Sequence, residues 1–278
     1  MNNHWKHLRP SEKDKVFNFF LLLLLAVICI VIVYPLYYVA VASITDPVVV
    51  NSGKALLYPE VFYPGGYRMI FSYQIFWISY KNTILYTAAG TLVSLAATIP
   101  AGYVLSRKEL VGRKILSGLF TFTMFFSGGT IPLYLTVLKL GIYNTVWAMI
   151  LPTAVSVYNL LVCRSFFDTG IPEEVWDAAR VDGCAYMGFF FRFVLPLSKT
   201  IMGVMALFYA TAQWNQYWNA IIYLRDEERM PLQVQLTRLS RSDLKYCAVV
   251  VAAVPFLVIY PFFQKYFVQG ITVRGIKG

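Results

Sequence analysis

The sequence has few charged residues and few of the side chains that usually carry chemistry. Of its 278 residues 14% are charged, two are histidines and four are cysteines. Cys29, Cys163, Cys184 and Cys247 occur singly, with no CxxC pair and no histidine near them, which argues against a metal site. No GxxxxGK[ST] phosphate-binding loop occurs in the chain. We therefore expect no metal, no cofactor and no ATP hydrolysis in this chain, and we do not expect it to be an enzyme.

What the sequence has in excess is apolar surface. Hydrophobic residues make up 58% of the chain, more than a folded soluble protein of this length can bury. The net charge of +10 does not indicate a nucleic-acid partner, because the basic residues cluster at the ends of apolar runs and not on a water-soluble face. The composition predicts an all-α, polytopic membrane protein surrounded by lipid.

Six intervals of the sequence contain no charged residue and predict six transmembrane helices. Five of them are 19 to 25 residues long, against the roughly 20 residues that an apolar helix needs to cross a bilayer. We expect the whole chain, residues 1–278, to form a single transmembrane domain. The predicted spans are 16–45, 82–106, 115–138, 140–163, 200–224 and 246–264.

The distribution of lysine and arginine predicts the orientation of these spans. With the N-terminus in the cytoplasm, 15 basic residues lie inside and nine outside. The discordant segment is 225–245, which has five basic residues on the outer side but also four acidic ones. We expect both termini to be cytoplasmic.

None of the six predicted spans contains a charged residue, and this indicates how a transporter of this kind would be driven. An ion-driven transporter usually places an ionisable side chain inside the bilayer, at a cost of roughly 2.5–3.5 kcal/mol. Sodium can also be held by backbone carbonyls, so a sodium-coupled secondary transporter stays open as an alternative. The pattern favours an energy source outside the membrane, reached through a cytoplasmic surface.

The segment 168–196 is a charged island between apolar runs, and the orientation places it in the cytoplasm. Pro172 and the acids after it predict a short helix over about 172–182, which Gly183 ends. Ile171, Val175, Ala178 and Asp182 fall three or four residues apart, with Ala179 beside them. This spacing predicts a narrow face of small side chains that a partner surface can approach closely.

This island resembles the EAA loop of the permease subunits of binding-protein-dependent ABC importers. The family pattern is E-A-A, three residues, G, nine residues, I, one residue, L-P, and every spacing agrees. Asp177 replaces the usual glutamate, and Phe193 replaces the usual isoleucine. The matching residues are Asp177, Ala178, Ala179, Gly183, Phe193, Leu195 and Pro196.

Four further stretches resemble the carbohydrate-uptake branch of that family, particularly the subgroup for complex or uronate-containing oligosaccharides. The stretches are 126–132, 214–219, 230–233 and 264–270. The resemblance implies the ABC importer permease fold in a bacterial cytoplasmic membrane, with a second permease subunit that is a distinct paralogue. It also implies two cytoplasmic ATPase subunits that bind ATP and magnesium, an extracellular solute-binding protein and a carbohydrate substrate. It assigns the ATPase contact, through a coupling helix, to Glu174, Asp177, Ala178, Ala179, Asp182 and Gly183.

Sugars bind to aromatic faces and to amide or hydroxyl groups, and the fifth predicted span is rich in both. The candidates for the substrate path are Tyr209, Gln213, Trp214, Asn215, Tyr217, Trp218 and Asn219. An equally weighted interpretation is an aromatic belt at the membrane boundary combined with helix packing. Ser127, Gly128, Gly129 and Pro132 predict an irregularity in the third span, either a tight helix contact or a bend that lines a cavity.

Three alternatives to a carbohydrate permease stay open at this stage. They are an ABC permease for another solute, the sodium-coupled transporter, and a membrane scaffold that transports nothing. A permease for another solute would be identified by the ligand that stabilises the binding protein. A sodium-coupled transporter would work without ATP, and a scaffold would show no substrate-dependent stimulation of ATPase activity.

Overall fold

The computed structural model describes residues 12–53, 57–239 and 242–275, and within these ranges the regular structure is helical. The described residues contain no strand, only an isolated antiparallel bridge between Thr45 and Phe62. The predicted all-α class is confirmed. The predicted cytoplasmic termini, residues 1–11 and 276–278, lie outside the described residues.

Fifteen α-helices occur in these ranges, together with 3-10 turns at Leu151–Thr153 and Glu227–Arg229 and a π-helical turn at Phe190–Val194. The α-helices are α1 Glu12–Ala42, α2 Pro47–Asn51, α3 Gly65–Ser72, α4 Gln74–Ser106, α5 Arg113–Phe125, α6 Thr130–Lys139, α7 Val146–Ile150, α8 Val157–Gly170, α9 Glu173–Val181, α10 Tyr186–Phe189, α11 Leu195–Leu197, α12 Lys199–Trp214, α13 Trp218–Tyr223, α14 Leu232–Arg238 and α15 Ser242–Gly275.

The chain divides into two compact units. The first unit comprises residues 1–70 and 240–251, and the second comprises residues 71–239 and 252–278. In the first unit α1 has no charged residue after Lys15, and α2 begins where the Asp46 carboxylate accepts a hydrogen bond of 2.8 Å from the backbone N–H of Val48. A small cluster in this unit includes Val41 and Val50, with Tyr246 packed against it.

The second unit is organised around α4, which packs against α8 and α12. At Gly102 a Cβ atom would lie 2.7 Å from Cβ of Cys163, so α4 and α8 touch with no room for a side chain. At Gly90 a Cβ atom would lie 2.6 Å from the Gln213 side chain of α12. Small residues permit this approach, as they do in membrane helix bundles.

Two helices among the described residues are each long and apolar enough to cross a membrane, Lys15–Ala42 and Gln74–Ser106. Three pairs of helices satisfy the same criteria together but are sharply bent, which gives up to five spans if each pair counts as one. The bends are 111° between α5 and α6, 51° between Val146–Thr153 and α8, and 79° between Tyr186–Leu197 and α12. The predicted count of six spans and their boundaries therefore stay predictions.

The irregularity predicted in the third span is confirmed as the sharpest of these bends. Gly129 has φ 85° and ψ 177°, a backbone conformation that glycine adopts and that side chains exclude. It separates the end of α5 at Phe125 from the start of α6 at Thr130. The predicted interval 115–138 thus contains two helices joined by an extended corner, Phe126–Gly129, and not one straight span.

Candidate functional site

The helix predicted inside the charged island is present as α9. Pro172 precedes it with φ −59°, which suits a helix start because the missing N–H has no partner there in any case. After its last residue the backbone N–H of Cys184 donates to the carbonyl of Ala179 at 2.9 Å, while Gly183 adopts φ +75°. This is the left-handed closure that glycine favours at a helix C-terminus. The predicted role of Gly183 in ending the helix is confirmed.

One side of α9 is buried in the core of the second unit. Trp176 is 3% exposed, and its ring centroid lies 4.6 Å from that of Tyr186 and 5.0 Å from that of Phe189. The Arg107 guanidinium covers the same indole at 5.2 Å. Truncating a buried tryptophan typically costs about 3–5 kcal/mol, so this ring is an anchor for α9.

The narrow face of small side chains predicted for this helix does not form. Ile171 is buried and Val175 half-buried, whereas Ala178 and Asp182 are exposed. Ile171 precedes the helix, so helical periodicity does not set its direction, and the large ring of Trp176 decides which side of α9 is buried.

The six residues assigned to the partner contact therefore differ in their surroundings. Ala179 is 5% exposed and belongs to the hydrophobic core, so it supports the fold of the segment. The other five are exposed, as is Val181 at 87%. These five are Glu174, Asp177, Ala178, Asp182 and Gly183. The exposed side of α9 thus presents carboxylates and small side chains, while the opposite side of the helix packs against the hydrophobic core.

Two ion pairs connect the helices around the charged island to the region that follows α4. Lys108 Nζ lies 2.8 Å from a carboxylate oxygen of Glu173, and this hydrogen bond raises the pKa of the Lys108 ammonium. Arg113 Nη2 donates to both carboxylate oxygens of Asp168, at 2.5 and 2.8 Å. Because the Arg113 pair uses both oxygens and is partly buried, it constrains orientation better than an exposed single contact. The Arg113–Asp168 pair thus connects the start of α5 to the end of α8, and the Lys108–Glu173 pair connects the loop after α4 to the first residue of α9.

A second candidate site is a cavity of about 620 Å³ between the Phe126–Gly129 corner and α13. It combines hydroxyl and amide groups with an indole ring that is 73% exposed, and it brings together two stretches that the sequence singled out separately. Its lining includes Ser127, Gly128, Thr130, Thr136, Trp218 and Asn219. A lining of this kind suits a ligand that presents both hydroxyl groups and apolar ring faces.

Three of the seven predicted substrate-path residues are buried and already have partners within the chain. The Tyr209 hydroxyl lies 2.6 Å from Oγ1 of Thr98. Gln213 Nε2 donates to Oγ1 of Thr153 at 3.1 Å, and the Trp214 ring packs within the core. In this conformation these side chains hold helices together and do not line the cavity.

The remaining candidates lie where α12 gives way to α13. Asn215 is exposed, but its amide donates to the carbonyl of Thr211 at 2.9 Å and accepts from Gln233 at 3.2 Å. Tyr217 is half-buried, with its ring 5.7 Å from that of Trp218. Of the seven predicted residues, Trp218 and Asn219 are the two that line the cavity.

Sequence reasoning assigned no part in the substrate path to several residues that line the same cavity, among them Thr130, Thr136 and Tyr223. A signal for Tyr223 was present, because it follows Asn219 by four residues and therefore shares its helical face. Thr130 and Thr136 had no comparable signal, since the direction of α6 depends on the bend at Gly129.

With this geometry established, the chain was compared with known proteins. It is 37% identical to the polygalacturonan/rhamnogalacturonan transport system permease protein YtcP of Bacillus subtilis, over 96% of this chain and 100% of that protein. It is 34% identical to protein LplC of the same organism, over 96% and 97%. No family model matches the chain.

Among solved structures, the chain resembles a crystal structure of a bacterial ABC transporter involved in the import of the acidic polysaccharide alginate. The TM-score is 0.86 at 29% identity, over 92% of this chain and 98% of that one. Fold and comparisons together define a multi-pass, all-helical membrane protein with the ABC importer permease fold. The chain belongs to the family of sugar ABC transporter permease proteins. Membership in a family of transport subunits also agrees with the prediction that it is not an enzyme.

Proposed function

We propose that this chain is one of two permease subunits of an importer that takes a carbohydrate from an extracellular binding protein and moves it across the bacterial cytoplasmic membrane. Two separate cytoplasmic ATPase subunits bind ATP and magnesium and dock on the exposed side of α9, and both termini of this chain face them. The second permease is a related but distinct chain. The observation that carries the proposal is α9 itself, exposed on its acidic side and anchored on the other by Trp176.

The packing of α9 supports a role in force transmission. A docking helix must be accessible to its partner and must not yield when the partner moves. Glu174, Asp177 and Ala178 meet the first condition, and the buried Trp176 anchor meets the second. Closure of two ATPases then rocks the helices as rigid bodies between inward-facing and outward-facing states.

The carbohydrate assignment is supported by the second site and by the relatives. The corner–α13 cavity offers an indole face, hydroxyls and an amide, the groups that bind sugar rings. One relative is named for polygalacturonan and rhamnogalacturonan transport, and the structural neighbour is involved in alginate import. We therefore propose an oligosaccharide with uronate units as the substrate.

The test is uptake by proteoliposomes that contain the complete transporter, with ATP inside and the binding protein outside. Oligogalacturonate-loaded binding protein should support accumulation, whereas maltodextrin-loaded protein should not. Asp177→Lys reverses a charge on the exposed side of α9 and should abolish uptake while membrane insertion continues. Lys114→Glu, an equal charge change at an exposed position of α5, is the matched control and should transport normally.

The alternatives give distinct results in the same vesicles. Accumulation driven by a sodium gradient without ATP would replace the proposal with a secondary transporter. ATP-dependent uptake of a non-sugar solute alone would preserve the docking assignment but refute the carbohydrate assignment. The absence of substrate-stimulated ATP hydrolysis in the assembled complex would indicate a scaffold.

A further inference from the structure

A second cleft, distinct from the corner–α13 cavity, lies at the end of α4 where the long apolar helix meets the charged loop 107–113. Its volume is about 490 Å³, and it separates the end of α4 from α10 and the π-helical turn that follows. Most of its lining is apolar, including Val104, Leu110, Met187 and Phe191. Met187 and Phe191 are 73% and 62% exposed, so one wall of the cleft is accessible.

Two hydrogen-bond donors in this cleft lack acceptors. Tyr103 lines it and is 6% exposed, and its hydroxyl has no hydrogen-bond partner among the described residues. Nε of Arg107, which also lines the cleft, is likewise buried and without a partner in the described part of the chain. Buried donors normally have an acceptor, and such exceptions call for an explanation.

The charged side chains that line the cleft are compatible with a bound anion. The one carboxylate among the lining residues belongs to Glu109, and Nη2 of Arg107 already donates to it at 2.9 Å. Interaction with backbone N–H and with Arg107 lowers the pKa of Glu109, so it stays ionised and paired. A phosphate oxygen is the kind of acceptor that a hydroxyl and a guanidinium N–H bind together.

The apolar walls of the cleft favour a phosphate that belongs to a lipid headgroup over free phosphate. Free phosphate gains nothing from Val104, Met187 and Phe191, whereas an acyl chain does. α4 is long and apolar enough to cross a membrane, and its charged end is where lipid headgroups lie. We infer that this cleft binds an anionic phospholipid, with the phosphate at Tyr103 and Arg107 and an acyl chain along Met187 and Phe191.

The inference is tested by lipid retention. The complete complex is reconstituted in equimolar phosphatidylcholine and phosphatidylglycerol and then stripped with detergent, and the lipids that stay bound are measured by mass spectrometry. The wild type should retain phosphatidylglycerol in preference to phosphatidylcholine. Arg107→Gln should reduce that preference by about tenfold, the scale of a charge-assisted hydrogen bond. Tyr103→Phe deletes only a hydroxyl and should reduce it in the same direction.

Controls separate a specific site from general attraction to basic residues. Lys114→Gln removes the same charge at an exposed position in the first turn of α5 and should leave the preference unchanged. Phe191→Ser should lower the retention of both lipids, and Tyr103→Phe, which leaves every charge in place, is the test if Arg107→Gln does not assemble. Equal losses in Arg107→Gln and Lys114→Gln, or no preference in the wild type, would overturn the inference. Displacement of the lipid by inorganic phosphate would also overturn it, by showing that the headgroup alone binds.

Discussion

Ala178 and Ala179 are neighbours in sequence with opposite environments, so the same substitution at each position separates docking from folding. Ala178 is exposed, whereas Ala179 is 5% exposed within a core whose members Phe189, Val194 and Met205 are fully buried. Phenylalanine at position 178 should change stability by less than about 0.5 kcal/mol, as is usual for exposed sites. At position 179 the ring has no space, and overpacking of this kind costs about 1–3 kcal/mol.

Two measurements on each variant check this expectation. Thermal unfolding of the purified complex should show an unchanged midpoint for Ala178→Phe and a lowered one for Ala179→Phe, by about 2–4 °C per kcal/mol for a chain of this size. ATP-driven uptake should be lost in Ala178→Phe although the protein is stable, because the ring would obstruct the proposed docking surface. Ala178→Ser, which adds little volume, is the control and should transport normally.

The reasoning about α9 would be refuted by either of two results. Normal transport by Ala178→Phe would mean that the exposed side of α9 does not dock. Equal destabilisation by the two phenylalanine variants would mean that Ala178 is as tightly packed as Ala179.

Two further predictions concern glycines. Gly183→Ala forces a side chain into φ +75° and should lower the stability by about 1–2 kcal/mol, measured by thermal unfolding. Gly170→Ala is the control and should not lower it, because a Cβ atom there meets its nearest neighbour at an ordinary 3.6 Å. Equal effects of the two substitutions would show that the backbone conformation is not the cause. Gly90→Ala places a Cβ atom 2.6 Å from Gln213 and should cost about 1–3 kcal/mol by separating α4 from α12. Gly118→Ala, with open space around it, is its control, and an unfolding midpoint unchanged in both variants would contradict the close contact.

The parts of the fold that were predictable depend on local chemistry. The ends of α9 follow from Pro172 and Gly183, whose backbone preferences act regardless of distant residues. An irregularity in the third predicted span was expected from Ser127, Gly128, Gly129 and Pro132, but the sequence did not decide between a tight helix contact and the bend of 111° that the structure has. The proline and the glycines affect the backbone within one helical turn of their own positions. The sequence therefore indicated where α9 ends and where the third predicted span is irregular.

The structure places the predicted substrate-path residues in different surroundings, for a physical reason. A run of aromatics and amides shows which side chains can bind a sugar, but their direction is set by the helix against which they pack. Tyr209 and Gln213 point into contacts with Thr98 and Thr153, while Asn219, only a few residues later, lines the cavity. The change occurs where α12 ends and α13 begins, a break that the uncharged interval 200–224 did not reveal.

Composition and motif spacing alone establish that this is an all-helical membrane protein and that its charged island contains a short helix whose surroundings resemble the EAA loop, because apolarity and residue spacing are properties of the chain alone. Only the tertiary structure decided that Ala178 is exposed and Ala179 buried, since the position of the Trp176 ring in the core selects the buried side of α9. It also decided that Ser127 and Trp218, far apart in sequence, line one cavity. Both outcomes depend on packing between distant segments, which no local pattern encodes.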